Sequence, residues 1–379
     1  MTQTLLPMPA DLPDVVLNEN AKVVLSRRYL RKGPDGKPYE LPKELFWRVA
    51  AKIAAQEANF KGGKAKVAER ALEYYTLLTS FKFLPNSPTL MNAGTDLGQL
   101  AACFVLPVGD SIEEIFDAVK HAALIHKSGG GTGFSFSRLR PTDSRVGSTG
   151  GVASGPLSFL RIFNTATEQI KQGGTRRGAN MGILRVDHPD ILRFIKAKER
   201  EGELNNFNLS VGLTEAFMQA VDKDEEYDLV APNNKEVRDR LKAREVFSML
   251  VQKAWESGDP GMVFLDRINR DNPTPQLGEI EATNPCGEQP LLPYEACNLG
   301  SINLAAFYDE AAHDRIDWEG LRTVIHQGVH FLDNVIEASV YPLQQITDMV
   351  RTNRKIGLGL MGFADLLYQL GVPYNSQEG

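Results

Sequence analysis

The sequence predicts an α/β fold: a mostly parallel sheet, covered by helices or closed as a barrel, preceded by a small helical region. Three observations carry this. From about residue 103 onward, short apolar runs alternate with segments of helical period, the pattern of parallel strands joined by crossover helices. Residues 43–59 and 65–82 carry helical period with no strand between them. The chain has 379 residues, 42% hydrophobic and 24% charged, enough for one large domain or two smaller ones.

The elements follow in order. Residues 1–40 are rich in proline and charge and read as an extended arm with a short docking segment. In the next two segments Leu45, Val49 and Ile53 recur at four-residue steps and Leu72, Tyr75 and Leu78 at three. Residues 83–110 bring Asn, Ser, Thr, Pro and Gly in quick succession, a loop ending in a buried strand from Cys103 to Val108. Asp110 or Ser111 caps the helix IEEIFDAVKHAALIHKS, whose early Glu113 and Glu114 suit a first turn. SGGGTG (128–133) makes a tight turn before the strand FSFSRL; as a phosphate loop it lacks the following Lys-Ser/Thr. After the loop 141–155, Pro156 opens a helix that stops at Gly173-Gly174. The arginines of TRRGANMGILRV suit either an anionic ligand or a solvated surface loop. His188-Pro189-Asp190 starts a helix through Arg200, and NFNLSVGLT is a strand. Residues 214–257 run helix, short strand (EYDLVAP), helix, and MVFLDRINR leads on. A helix spans Trp318–Ala338, and further helix follows with a glycine-rich break at IGLGLMGF.

Composition excludes several classes. The net charge is −6, without long like-charge runs, so unspecific nucleic-acid or membrane-surface binding is not the leading idea. The N-terminus, MTQTLLPMPADLPD, lacks the basic and apolar parts of a signal peptide, and nothing approaches a membrane span, so a cytoplasmic protein is expected. Three cysteines do not make a disulfide scaffold. His121 and His126 lie five apart, and neither they nor the cysteines show ligand spacing, so no metal site is expected and metal-dependent or hydrolytic chemistry is disfavoured.

Chemistry concentrates in NPCGEQPLLPYEAC (284–297), which holds Cys286 and Cys297. In an extended segment Asn284, Cys286 and Glu288 stand on one side as amide, thiol and carboxylate. Gly287 permits close approach or an unusual backbone angle, and Pro285 and Pro290 argue for a stiff loop. CNLGSINL reads as a strand leading away. Cys103, taken alone, reads first as a plain core residue.

NPCGEQPLLPYEACNLGSINL, with FLPNSPTLMNAG and SGGGTGFSFSRLRP, resembles the large catalytic chain of ribonucleotide reductases, most closely the adenosylcobalamin-dependent class II, from about residue 40 to the end. The resemblance implies a ten-stranded α/β barrel of two antiparallel five-stranded parallel halves, occupying 83–379 after an arm and helical region at 1–82, with a central finger loop near 284–297. It implies that Cys286 becomes a thiyl radical, that Cys103 and Cys297 close to a disulfide as the ribose is reduced, and that Asn284 and Glu288 bind and activate the ribose hydroxyls. Ser87 and Ala102 fall on substrate-contacting positions. Asp110, Ser111, Arg140 and Arg176 fall on a specificity site for a deoxynucleoside triphosphate at a dimer interface, with 173–181 as the loop that signals to the substrate base. Implied partners are a ribonucleotide, that effector, a thioredoxin- or glutaredoxin-type reductant and a second copy of the chain.

The chemistry suits these residue types. A thiyl radical that takes the 3′-hydrogen makes loss of the 2′-hydroxyl as water feasible, a carboxylate near the 3′-hydroxyl serves as general base, and two thiols supply two electrons. No regulatory domain precedes the helices, so no separate overall-activity site is expected. The second half-barrel, the diphosphate grip and the C-terminal cysteines are missing, so the chain reads as an N-terminal portion that needs a complementing C-terminal chain. The alternatives are a class I catalytic chain served by a separate radical-generating subunit, and a nucleotide-binding module without catalysis. The glycyl-radical class fits the cysteine loop less well.

Overall fold

The computed structural model describes residues 6–145, 150–172, 176–200 and 202–379, without the side chains of 171–177. The chain divides into two compact units, residues 1–102 with 297–379, and residues 103–296.

The first unit opens with α1 (Glu19–Arg28), α2 (Pro42–Ala54) and α3 (Val67–Thr79), then β1 (Phe83–Pro85) and α4 (Ser87–Asn92). Two elements correct the sequence reading. The arm holds a helix, α1, capped by Asn18, whose Oδ1 accepts from Ala21 N at 2.8 Å. It buries only Leu25, so no apolar period marks it. The stretch after residue 82, expected as loop, contains β1 and a short helix whose first turn is capped by Asn86, its Oδ1 accepting from Thr89 N at 2.9 Å. In α2 the expected face is right: Leu45, Val49 and Ile53 are fully buried. In α3 Tyr75 and Leu78 are buried as expected and only Leu72 is not. Leu72 is 43% exposed, and Ala71, Tyr74, Tyr75 and Leu78 face the core.

The second unit runs β2 (Cys103–Val105), α5 (Ile112–Lys127), β3 (Gly131–Ser135), α6 (Pro156–Gln169), β4 (Lys171–Gln172), β5 (Arg176–Arg177), β6 (Asn180–Arg185) and α7 (Ile191–Ile195). It continues with β7 (Phe207–Leu213), α8 (Glu215–Lys223), β8 (Glu226–Val230), β9 (Val237–Lys242), α9 (Ala243–Ser257), β10 (Gly261–Phe264), α10 (Leu265–Arg270), β11 (Ala282–Thr283) and β12 (Pro290–Leu291). Strands β2, β3, β6, β7 and β10 pair in that order, every pair parallel, as the alternation of strands and helices predicts. Helix α7 is shorter than expected. The β8–β9 pair is antiparallel and was half legible: EYDLV reads as a strand, whereas VRDRLK is too charged to do so. Strands β11 and β12 form a small antiparallel hairpin.

The first unit resumes with β13 (Ala296–Asn303), α11 (Trp318–Ala338), α12 (Gln344–Asn353), β14 (Ile356–Met361) and α13 (Phe363–Leu370). Helix α11 has the bounds its period predicts. The glycine-rich break is instead a strand: β14 lies parallel to β13, Asn298 opposite Ile356, while β1 lies antiparallel, Phe83 opposite Ile302. Alternating glycines hide such a strand from an apolar pattern. Phe83, Tyr74 and Phe331 meet edge to face, with ring centroids 5.5 Å and 4.9 Å from Phe331, in a core shared by α2, α3 and α11.

Two buried polar clusters brace this unit. Asn334 Nδ2 donates to Glu57 Oε1 at 2.8 Å and lies 3.0 Å from the Tyr74 hydroxyl, and His330 Nε2 is 2.7 Å from the same carboxylate oxygen. Arg48 grips Glu40 through Nε (2.6 Å) and Nη2 (3.1 Å) and also donates to the carbonyls of Ala93 and Leu90. Both partners are buried, so removing one strands the other's charge. Arg48→Leu is expected to destabilise the protein by about 3–5 kcal/mol in urea unfolding, and an unchanged midpoint would contradict this role.

Candidate active site

The hairpin β11–β12 carries the NPCGE sequence, and Asn284 ties its loop together. Asn284 N donates to Gln289 O (3.1 Å), its carbonyl accepts from Gly287 N (3.1 Å), and its Oδ1 accepts from Gln289 N (3.0 Å). The bond from Gly287 back to Asn284 closes a β-turn with Pro285 in the position that favours proline, and Gly287 follows at φ 81°. The expected extended row of Asn284, Cys286 and Glu288 is therefore not formed: a turn, not a strand, separates them. Asn284 is buried, and Cys286 and Glu288 are exposed.

The turn brings different groups together. Asn284 Nδ2 donates to Cys103 Sγ at 3.0 Å, and Glu288 Oε1 lies 3.9 Å from the same sulfur. Cys103 is thus no plain core residue: an amide and a carboxylate converge on its thiol, and Cys286, in the same turn, is exposed. A cavity of about 750 Å³ at the carboxyl ends of β7 and β10 includes Gly287 in its wall.

Parallel register explains the position of the hairpin. Val105, Gly133, Met181 and Asn208 are successive partners across β2, β3, β6 and β7, and Cys103 pairs with Gly131 two residues earlier. Paired residues of a parallel ladder share a face, so all six side-chain positions are on one side of the sheet. A Cβ on Gly133 would sit 1.7 Å from Thr283 O, and one on Gly131 would sit 2.7 Å from Pro285 Cγ. Gly131 and Gly133 of SGGGTG serve here as a floor for the hairpin.

The remaining predicted residues fall elsewhere. Cys297 is buried in β13, in the first unit, its Sγ donating to Asn298 O at 3.1 Å and its carbonyl accepting from Ala102 N at 3.2 Å. Ser87 opens α4, its Oγ 2.8 Å from the Tyr29 hydroxyl. Tyr341, which the sequence reading passed over, has its phenol pushed up chiefly by burial, with a hydrogen bond from Ser339 opposing and the nearby Cys297 adding to the rise.

Asp110, Ser111 and Arg140 do assemble. They line a cavity of about 590 Å³ with Val152, Gly155 and Phe159. Asp110 accepts from Arg140 N (2.9 Å) and Nε (2.8 Å), and Ser111 caps α5, accepting from Glu114 N at 3.1 Å. Asp190, missed in sequence, pins the neighbouring loop by accepting from Thr142 N (2.8 Å) and Oγ1 (2.7 Å). His188 donates through Nε2 to Leu139 O (2.9 Å) and accepts from Asp190 N at Nδ1 (3.0 Å); burial lowers its pKa and keeps it neutral. HPD reads equally as a helix start, so nothing in the sequence signals this role. Arg176 lies in β5 and its side chain is outside the described residues, as are residues 173–175 of the predicted signalling loop.

His126 lies under the same sheet. Thr167 donates to Phe163 O (2.8 Å), Asn180 Nδ2 to Thr167 (2.9 Å), and Thr132 to Asn180 Oδ1 (2.6 Å), so His126 Nε2 must be the donor to Thr132 at 3.0 Å. Burial depresses its pKa to about 4, partly offset by Asn180. Because the folded value lies below the unfolded one, near 6.5, the stability this group contributes is present above pH 6.5 and lost as pH falls towards 4. The loss amounts to about 3 kcal/mol at most. His126→Gln is expected to flatten the acid side of the urea-midpoint profile; an identical slope in both proteins would contradict this. Gly133→Ala is expected to destabilise by about 1–3 kcal/mol or displace the hairpin, read by urea unfolding and by alkylation of Cys103.

With a glycine-floored parallel sheet and a cysteine hairpin against it, the second unit is a thiol-bearing α/β domain. Residues 101–379 match the family model described as ribonucleotide reductase, barrel domain, and residues 15–98 the one described as ribonucleotide reductase, all-alpha domain. The chain belongs to the ribonucleotide reductase large-chain family. It is 50% identical over 419 aligned residues to a vitamin B12-dependent ribonucleoside-diphosphate reductase of Thermoplasma acidophilum, covering 96% of this chain and 54% of the relative. A protein of the same description from Mycobacterium tuberculosis is 51% identical over 367 residues, 96% of this chain and 52% of the relative. A ribonucleoside-diphosphate reductase large chain of Neurospora crassa is 31% identical, covering 93% of this chain and 40% of the relative. The chain spans about half the length of the first two. No helix among the described residues is long and apolar enough to cross a membrane.

Proposed function

We propose that this chain supplies the radical cysteine, the reducing cysteine pair and the specificity site of an adenosylcobalamin-dependent ribonucleotide reductase. The observation that carries the reading is the convergence of Asn284 and Glu288 on Cys103, with Cys286 exposed in the loop that joins those two residues. In this reading the Cys286 thiyl takes the 3′-hydrogen of the ribose. Glu288 accepts the 3′-hydroxyl proton, and Asn284 orients the substrate. The 2′-hydroxyl leaves as water with a proton from the Cys103 side. Cys103 and Cys297 close to a disulfide as one hydrogen atom passes to C2′ and the remaining electron, with the proton held by Glu288, reduces the 3′-ketone. The Cys286 thiol then returns its hydrogen atom to C3′ and is left again as the thiyl. Ser87 and Ala102 contact the substrate. A thioredoxin- or glutaredoxin-type protein then reduces the pair.

Identity favours the cobalamin-dependent class: relatives whose names carry vitamin B12 match at 34–51%, and large chains without it at 29–31%. The accessible Cys286 fits such a cofactor, because a thiol must be reachable to lose its hydrogen atom to an external radical. Bound, the cofactor supplies that radical by homolysis of its cobalt–carbon bond.

The Asp110–Ser111–Arg140 cavity suits a deoxynucleoside triphosphate, with Arg176 of β5 as a further contact. The exposed Ile112, Phe116 and Leu124 of α5 and Ile162 of α6 support a second copy of the chain beside it. The five parallel strands make one half of the ten-stranded barrel, with the hairpin as its finger loop, and turnover requires a complementing C-terminal portion.

Cys286→Ser is expected to abolish ribonucleotide reduction by the complemented protein, a loss of at least about 1,000-fold, while leaving triphosphate binding at the Asp110 cavity unchanged. Retained reduction would overturn the proposal.

A further inference from the structure

Asn208 stands in the same cross-strand row as the glycine floor, paired with Met181 of β6. Its neighbours Phe207 and Leu209 are buried on the opposite face, as alternation in a strand requires. Among the four residues of that row, Val105, Gly133, Met181 and Asn208, it alone has a polar side chain. That side chain does one visible thing: Nδ2 donates to Pro285 O at 2.7 Å.

The carbonyl it holds belongs to the peptide that joins Pro285 to Cys286. Proline has no N–H, so the turn cannot tie this point through a donor of Pro285. The bonds made by Asn284 fasten the two ends of the loop at residues 284, 287 and 289. Between them the carbonyl of the Pro285–Cys286 peptide plane is held by Asn208, and rotation of that plane would re-aim the Cys286 side chain. The short stem and forked amide of asparagine meet the requirement. An aspartate of the same shape would turn a carboxylate oxygen towards a carbonyl oxygen.

We propose that Asn208 is a positioning residue that fixes the Pro285–Cys286 peptide plane and so the direction of the Cys286 thiol. The functional consequence rests on the reading of Cys286 as the reacting thiol; the anchoring does not. Asn208 is exposed, so water competes for its bond, and its contribution lies in orientation more than in global stability.

The test compares the protein with Asn208→Asp and Asn208→Ala. Amide hydrogen exchange in a peptide covering 284–291 is expected to rise roughly three- to tenfold in both variants, the range that loss of one hydrogen bond gives. Exchange across β10 and the urea midpoint are expected to stay unchanged. Unaltered exchange in 284–291, or protection kept by Asn208→Asp, overturns the proposal. So does a rise shared equally by β6, β7 and β10, which would mark Asn208 as a general support of the sheet. In the complemented enzyme both variants are expected to lower kcat with KM unchanged. Faster loop exchange with an unchanged kcat would keep the anchor and reject Cys286 as the reacting thiol.

Discussion

The backbone of the β11–β12 hairpin occupies the space that side chains of β3 would otherwise fill. A methyl group at Gly133 would lie 1.7 Å from the carbonyl oxygen of Thr283, a contact no rotamer change relieves, since both atoms belong to or directly extend a backbone. The approach is what puts Asn284 within 3.0 Å of the Cys103 sulfur and the Pro285 carbonyl within 2.7 Å of Asn208. Widening it by the thickness of a side chain would break both bonds at once. The parallel ladder supplies the geometry, because only residues in register and on one face meet the hairpin together.

On this foundation the site mixes buried and open chemistry. Asn284 is enclosed and spends its backbone and side chain on holding its own loop, with one amide proton directed at a thiol. Cys286 stays open at the tip. A thiol that gives up a hydrogen atom must be reachable, whereas one that reports to an amide and a carboxylate gains from being shielded, where hydrogen bonds and charges act more strongly. Separation of the two environments follows from the turn at Pro285 and from the left-handed Gly287 after it.

Sequence patterns made much of this legible, for physical reasons. Helix α11 was visible because it buries a long, regular apolar face, and the parallel order of β2, β3, β6, β7 and β10 followed from alternating strand and helix patterns. Ser111 and Pro156 marked their helix starts through local bonding preferences that need no tertiary knowledge. What failed was set by distant contacts. The glycines of β14 read as a break because pairing with β13, not side-chain packing, makes that strand. Cys103 looked like an ordinary core thiol because its partners lie more than 180 positions away. The glycines of 128–133 read as a tight turn before a strand, whereas the strand already begins at Gly131, because a sequence does not say that another part of the chain will pack against Gly131 and Gly133. Asn208, Asp190 and His188 carry no motif at all; their roles exist only once strands and loops are assembled.

In the proposed function Cys103 and Cys297 are a redox pair while Cys286 acts alone. Mild oxidation of the protein, alkylation of the remaining thiols and peptide mapping test it most directly. The account predicts a Cys103–Cys297 disulfide with Cys286 alkylated, which requires their Cα atoms to come within roughly 7 Å. A disulfide that includes Cys286, or equal alkylation of all three cysteines in the complemented protein, would contradict it.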